Sequence, residues 1–193
     1  MPGRPRRRAD AERSIALILD AAVDALATNP DASMAEIARR AGVVRATIYV
    51  HFPTREALLD AVTTRALAEA TAAIAAAEPD RGDAEAALAR VVQTTWRTLA
   101  RYHALVAINT QQHGHAELQA KHHSVLAALE PLIARGQHEG SFRADVPAAW
   151  HLTMLLALVH AASGELHAGH VTDGDAEAAL VATILGALSA SGR

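Results

Sequence analysis

Residues 33–52, SMAEIARRAGVVRATIYVHF, constrain the fold more than any other stretch of the chain. Ser33 and Glu36 stand three apart, the spacing of a capping box. The Ser hydroxyl accepts from one free backbone N–H, and the Glu carboxylate reaches back to another. This box opens a short helix to about Arg40. Ala41-Gly42-Val43 then makes a tight turn, because glycine takes the left-handed conformation that ends a helix. Val44 to about His51 reads as a second short helix, which Phe52-Pro53-Thr54 breaks. Two short helices about a glycine turn make a helix-turn-helix. Met34, Ile37 and Ala38 are placed to face a preceding helix, and Ala41 is small where two helices pack closely. Val43 plugs the turn and Ile48 faces inward. Arg45, Thr47, Tyr49 and His51 reach outward, offering donors to phosphates and base edges.

The rest of the chain continues in the same secondary structure. Alanine supplies 47 of 193 residues and aromatics only 3%. Alanine is the best helix former, and β-branched and aromatic residues dominate strands, so the fold is expected to be all-α. Residues 10–28 read as a first helix, with Ile15, Leu19, Ala22, Val23 and Leu26 on one face. Thr54 caps a long helix to about Ala77, and Pro79-Asp80-Arg81-Gly82 is the clearest break. Further helices are expected at 83–100, 102–112, 115–137, from 145–147 to about 167, and from 172–175 to about 188. That makes about nine.

Several function classes fall away on composition. With no cysteine, thiol catalysis, Cys-type zinc sites and disulfide scaffolds are excluded. The basic start at residues 1–8 has no apolar stretch behind it like that of a signal peptide. The most apolar run, 152–159, is far too short to span a bilayer. A cytoplasmic protein is expected. Charge is uneven: residues 1–55 hold nine Arg against six acidic residues, and 56–193 hold nine Lys or Arg against fifteen. A basic front on an acidic chain suits an anionic partner for that front. Four of the five residues 4–8 are Arg, which reads either as an idle terminus or as attraction to phosphate or a minor groove.

Residues 10–67 resemble the DNA-binding domain of the TetR family of bacterial transcriptional regulators. The resemblance rests on Ala21-Ala22, Ser33 to Ala38, Ala41-Gly42-Val43, Thr47-Ile48-Tyr49, His51-Phe52-Pro53 and Arg55 to Leu59. It implies an N-terminal three-helix DNA-binding domain at 1–54. A long helix then joins this to a helical ligand-binding and dimerisation domain at 55–193. By position, Arg45 and Ala46 open the recognition helix, where base contacts occur, and Thr47 meets phosphate or a base. Tyr49 and His51 sit at phosphate-contacting positions. Arg55 in the first turn of the fourth helix meets phosphate, and Ser33 touches the backbone. Tyr49 also reads as packing on the first helix, His51 as a cap for its own helix, and Arg55 as a solvated charge. Val44 leaves the recognition helix without a side-chain cap, at a usual cost of ~1 kcal/mol. Val50 replaces a common polar or basic residue, so both departures are expected to narrow the DNA footprint.

The C-terminal part holds helices without an active-site motif, so no enzyme and no cofactor are expected. Trp96, Tyr102, His103, Val106, Asn109 and His113 lie where the family lines its ligand pocket. Trp96 reads equally as pocket wall or as core. The eleven histidines include His113, His115, His122 and His123, but their spacing does not assemble three or four ligands, so no metal site is expected. Trp150, Met154, Leu158 and Ala161 form one apolar stripe, and Leu180, Ile184 and Leu188 another. In the family such helices build a homodimer; both stripes also suit the subunit's own core. The expected function is a ligand-responsive regulator, a repressor released from a pseudo-palindromic double-stranded operator by an unknown small molecule, with no membrane partner. The alternative is a helical dimeric binding or scaffold protein without DNA-binding activity.

Overall fold

The computed structural model describes residues 4–112 and 115–190, with side chains at 10–109 and 116–190. Among the described residues there are ten α-helices, a short 3-10 turn at Ala100–Tyr102 and one isolated bridge between Phe142 and Ser189. The chain forms two compact units, Met1–Arg65 and Ala66–Arg193.

The first unit contains α1 (Arg4–Thr28), α2 (Met34–Arg40), α3 (Arg45–His51) and the start of α4 (Arg55–Ala76). Most of the local signals behave as their chemistry demands, although the Glu36 carboxylate, expected to complete the capping box, pairs with Arg40 at 3.4 Å instead. The Asn29 side chain accepts from the Asp31 N–H at 3.0 Å, turning the chain after α1. Ser33 Oγ accepts from the Glu36 N–H at 3.2 Å and starts α2. Gly42 takes φ 68° in the turn, and Thr54 Oγ1 accepts from the Ala57 N–H at 3.1 Å to start α4. Val44 stands at the N-cap of α3 with no side-chain hydrogen bond. Ile18, Ala22 and Leu26 of α1 are buried with Met34, Ile37, Ala38, Ile48, Leu58 and Val62. Arg65 pairs with Asp20 at 2.7 Å, tying α4 to α1.

The second unit contains the rest of α4, then α5 (Ala84–Leu99), α6 (His103–Gln112) and α7 (His115–Lys121). After these come α8 (His123–Glu139), α9 (Ala148–His167) and α10 (Asp173–Leu188). Asp83 caps α5 and Thr172 caps α10 through their side chains. The single helix expected over 115–137 is two, α7 and α8. His122 leaves helical geometry at φ −89°, ψ 6°, and its ring Nδ1 lies 2.7 Å from the Leu118 carbonyl oxygen. Gly140 ends α8 in the left-handed region at φ 78°. Gly136 lies inside α8. There a Cβ would come within 2.1 Å of the Phe142 ring, so this glycine is required by close packing. Phe142, Leu88, Ile133, Leu155 and Ile184 belong to one core cluster.

That cluster takes in the apolar stripe of α10, for which the sequence leaves both a dimer surface and the subunit's own core open. Leu180, Ile184 and Leu188 are buried within the subunit's own core, where α10 packs on α5 and α9. Beyond its first turn, the residues that α10 exposes are small: Ala178, Ala179, Ala182, Thr183 and Gly186.

Candidate nucleic-acid interface

Burial of Ile48 fixes the phase of α3. At ~100° per residue, positions two before and two after it point to the opposite side. Those are Ala46 and Val50, and both are exposed. Val50 is 78% exposed and Val44 71%. Arg45 and Tyr49 flank this ridge on one side and Thr47 on the other. The Arg45 guanidinium carbon lies 5.6 Å from the Tyr49 ring centroid, a cation–π contact on the helix surface. Tyr49 keeps 39% of its surface exposed, so the structure gives it a solvent-facing position. Thr47 and His51 are half-buried, and the His51 ring lies 6.4 Å from that of Phe52.

Ser33 is exposed at the start of α2. Its oxygen is used as a cap acceptor, which leaves the hydroxyl hydrogen available to a phosphate. Arg55 differs from a plain surface cation. It is half-buried and its guanidinium donates to the Pro30 carbonyl, so it closes the loop after α1 onto the start of α4. A guanidinium has five donor hydrogens, and one such bond leaves others for an anion.

Residues expected to line a ligand site separate into two groups. Trp96 is 2% exposed within the core, and its indole N–H donates to the Asp173 carboxylate at 2.9 Å. Beside it, Arg97 grips Glu177 through two bonds of 3.0 and 2.8 Å, which lowers the Glu177 pKa and fastens α5 to α10. Tyr102 is also buried. Burial raises its pKa, against the Arg101 guanidinium that donates to its oxygen at 2.8 Å. By contrast, His103, Val106 and Asn109 are half-buried along α6, which packs on α9. His103 Nδ1 lies 2.8 Å from the Ala100 carbonyl oxygen and its ring 5.5 Å from that of His167. His113 and the Arg side chains of residues 4–8 lie outside the described residues.

A pair of imidazoles has no warning in the sequence. His122 Nε2 and His160 Nε2 are 3.3 Å apart, with ring centroids 4.9 Å apart and nearly edge to face. A carbonyl only accepts, so the His122 Nδ1 facing Leu118 carries its hydrogen. Its Nε2 is then the acceptor for the His160 Nε2–H. Burial, the first cause for each, lowers the His122 pKa and depresses that of His160 to about 4. The partners are 38 residues apart, one at the junction of α7 and α8 and one on α9, so no periodicity joins them. Among the described residues, no group of three or more His, Cys, Asp or Glu is placed to hold a metal ion.

On α9, Trp150 is 61% exposed and Ala161 exposed, while Met154 and Leu158 are half-buried. No helix among the described residues is long and apolar enough to cross a membrane.

Comparison with known proteins finds a family match inside the first unit. Residues 18–62 match the bacterial regulatory proteins of the tetR family. The HTH-type transcriptional repressor LfrR of Mycolicibacterium smegmatis is 42% identical over 83 residues, 43% of this chain and 44% of the repressor. The chain thus spans less than half the length of that relative in the alignment. Over the whole chain the likeness is structural. The crystal structure of LfrR from Mycobacterium smegmatis in complex with proflavine has a TM-score of 0.72 and 27% identity, covering 92% of this chain and 97% of that one. The fatty acid degradation regulator FadR from Bacillus halodurans shares the fold, with a TM-score of 0.72 and 23% identity over 90% of this chain and 95% of that one.

Proposed function

We propose that this chain, whose N-terminal domain belongs to the TetR family of bacterial regulatory proteins, is a ligand-responsive transcriptional repressor of the bacterial cytoplasm. The observation that carries the reading is the face of α3: a buried Ile48 turns Arg45, Tyr49 and Val50 outward. Ser33, Arg45, Ala46, Thr47, Tyr49, His51 and Arg55 supply the contacts to double-stranded DNA. Phosphate contacts from these residues set register, and Arg45 at the start of the helix reads base edges.

Two copies pair through the outer faces of α9 and α10. Exposed Trp150 and Ala161 with Met154 and Leu158 supply the α9 side. Ala178, Ala182 and Gly186 let the facing helix approach closely. Such a two-fold pair presents its recognition helices about one DNA turn apart, ~34 Å or somewhat more, and so suits a pseudo-palindrome.

The effector is a small aromatic or apolar molecule, in keeping with the proflavine bound by LfrR. It sits in the second unit, against the α6 side chains of His103, Val106 and Asn109, with the buried Trp96 and Tyr102 as further candidates; His113 stays a candidate from the sequence alone. We place the functional boundary between Thr54 and Arg55. The continuous helix α4 then belongs to the effector domain and carries its state to the DNA-binding one. Ligand lowers DNA affinity only as far as it favours the non-binding state. Nothing in this reading calls for catalysis or a cofactor.

The test is a gel shift with the chain's own upstream region at two salt concentrations. A true binder loses affinity steeply as salt rises. Arg45→Ala is expected to lose sequence preference, and Arg55→Ala to weaken all sequences alike. Absence of binding to that region and to a random pool overturns the reading in favour of a helical scaffold without DNA-binding activity.

A further inference from the structure

We propose that Val50, seated on a ridge with Ala46, reads the 5-methyl groups of thymines in the major groove. It is then a specificity residue of the operator contact rather than a lost one. The inference rests on the DNA-binding reading above.

Folding does not account for Val50. It is 78% exposed on a helix of seven residues. A β-branched residue is a poorer helix former than the Ala, Lys or Glu that suits such a surface. It stands ~200° around α3 from the buried Ile48, four residues after Ala46, so both lie on the outermost ridge. No other residue of α3 stands farther from the subunit's own core.

What the ridge touches follows from chemistry. Valine has no donor and gains nothing from a phosphate. Its neighbours Arg45, Tyr49 and Thr47 serve the polar contacts. Major-groove edges offer donors and acceptors at every base, and the apolar group they present is the thymine methyl. Ala46 keeps the ridge low, so the backbone of α3 approaches closely enough for the Val50 methyl groups to reach it. The charge around the ridge favours a polyanion: Arg39 and Arg45 are exposed nearby in sequence and no acidic residue lies between positions 37 and 55.

The experiment uses the full chain and a duplex that it selects from a random pool. Thymines of one half-site are replaced singly by deoxyuridine, which removes only the methyl. The wild type is expected to bind about fourfold more weakly at one or two of these positions, the factor that burial of one methyl group corresponds to. Val50→Ala should bind the thymine duplex weaker by a similar factor and lose nothing further at those same positions. It should still respond to methyl loss elsewhere. Circular dichroism of V50A should match the wild type, since alanine favours the helix.

Equal binding of thymine and deoxyuridine duplexes at every position, with sequence selection intact, overturns this inference and leaves the regulator reading standing. If the wild type selects no sequence, the regulator reading fails and this one falls with it. A V50A variant that alters self-association while binding DNA like the wild type assigns the ridge to a protein contact, and that also overturns it.

Discussion

The two units use their most distinctive side chains in opposite directions. The first displays Arg45, Tyr49 and Val50 on a short helix held by one buried residue, Ile48. The second folds Trp96 and Tyr102 inward and gives their polar atoms partners in its own helices. A side chain is therefore worth different things in the two halves. In the first, removal should cost binding and spare stability; in the second it should cost stability first.

The sharpest way to break that contrast is Trp96→Ala. Loss of a buried Trp side chain costs about 3–5 kcal/mol. Trp96→Phe keeps part of the packing and loses the bond to Asp173, so its cost should fall between roughly 1 kcal/mol and that of Trp96→Ala. Tyr49→Ala should stay within about 0.5 kcal/mol of the wild type, as a surface change does, while weakening DNA binding. Urea unfolding followed by circular dichroism ranks the three. A Trp96→Ala chain as stable as the wild type would mean that Trp96 is a pocket wall and not part of the core.

The glycines carry the same contrast at smaller scale. Gly136→Ala drives a methyl into the buried Phe142 ring, and overpacking of this kind costs about 1–3 kcal/mol. Gly42→Ala meets nothing within 4 Å. Its penalty comes only from φ 68°, roughly 1–2 kcal/mol for a residue with a side chain. Replacing Phe142 by Leu in the Gly136→Ala background should recover part of the first loss, and no neighbouring change should recover the second. Rescue of Gly42→Ala by a packing change would show that the turn glycine is held by sterics after all.

The imidazole pair makes the second unit sensitive to acid. Both rings are held below the ordinary value of 6.5, His160 at about 4. The unfolded chain therefore binds more protons than the folded one between those values, and stability falls as pH falls. The stability is fully present above about pH 6.5 and is lost progressively down to about pH 4. In His160→Gln the urea midpoint should fall less over that window than in the wild type. Equal slopes for the two proteins would remove His160 from the account.

How much of this was readable in the chain follows the same division. Ser33, Gly42, Thr54, Asp83 and Thr172 act on backbone groups within three residues of themselves. Their roles are therefore written in local order, and the helix ends that these residues mark lie within a few residues of the expected ones. The tetR-like pattern over residues 18–62 is likewise a run of short-range requirements. What was not readable depends on residues far apart. Leu180, Ile184 and Leu188 keep helical spacing whether they face a partner or their own core, and only the packing of α10 on α5 decides it. Arg55 reads as a free cation until the loop at Pro30 folds over it. Gly136 looks like a helix end because its true neighbour, Phe142, arrives from beyond the helix.

The smallest effect tests the one local rule that the first unit breaks. Val44 occupies the N-cap of α3 at φ −71°, ψ 149°, the backbone geometry of a capping residue, without a side chain able to cap. Val44→Ser supplies the oxygen in place, and a cap of this type is worth about 0.5–2 kcal/mol. The net gain should sit at the low end, because the cap steadies only seven residues of α3. Both tryptophans, Trp96 and Trp150, lie in the second unit. Their fluorescence should therefore report an unchanged transition if the units unfold separately, and circular dichroism should register the shift. Val44 is 71% exposed, so the change removes no core contact to offset the cap. A Val44→Ser chain no more stable than the wild type would mean that backbone and water already satisfy the start of α3. One that is more stable yet binds DNA less tightly would mean that an exposed valine is kept at this turn for contact rather than for folding.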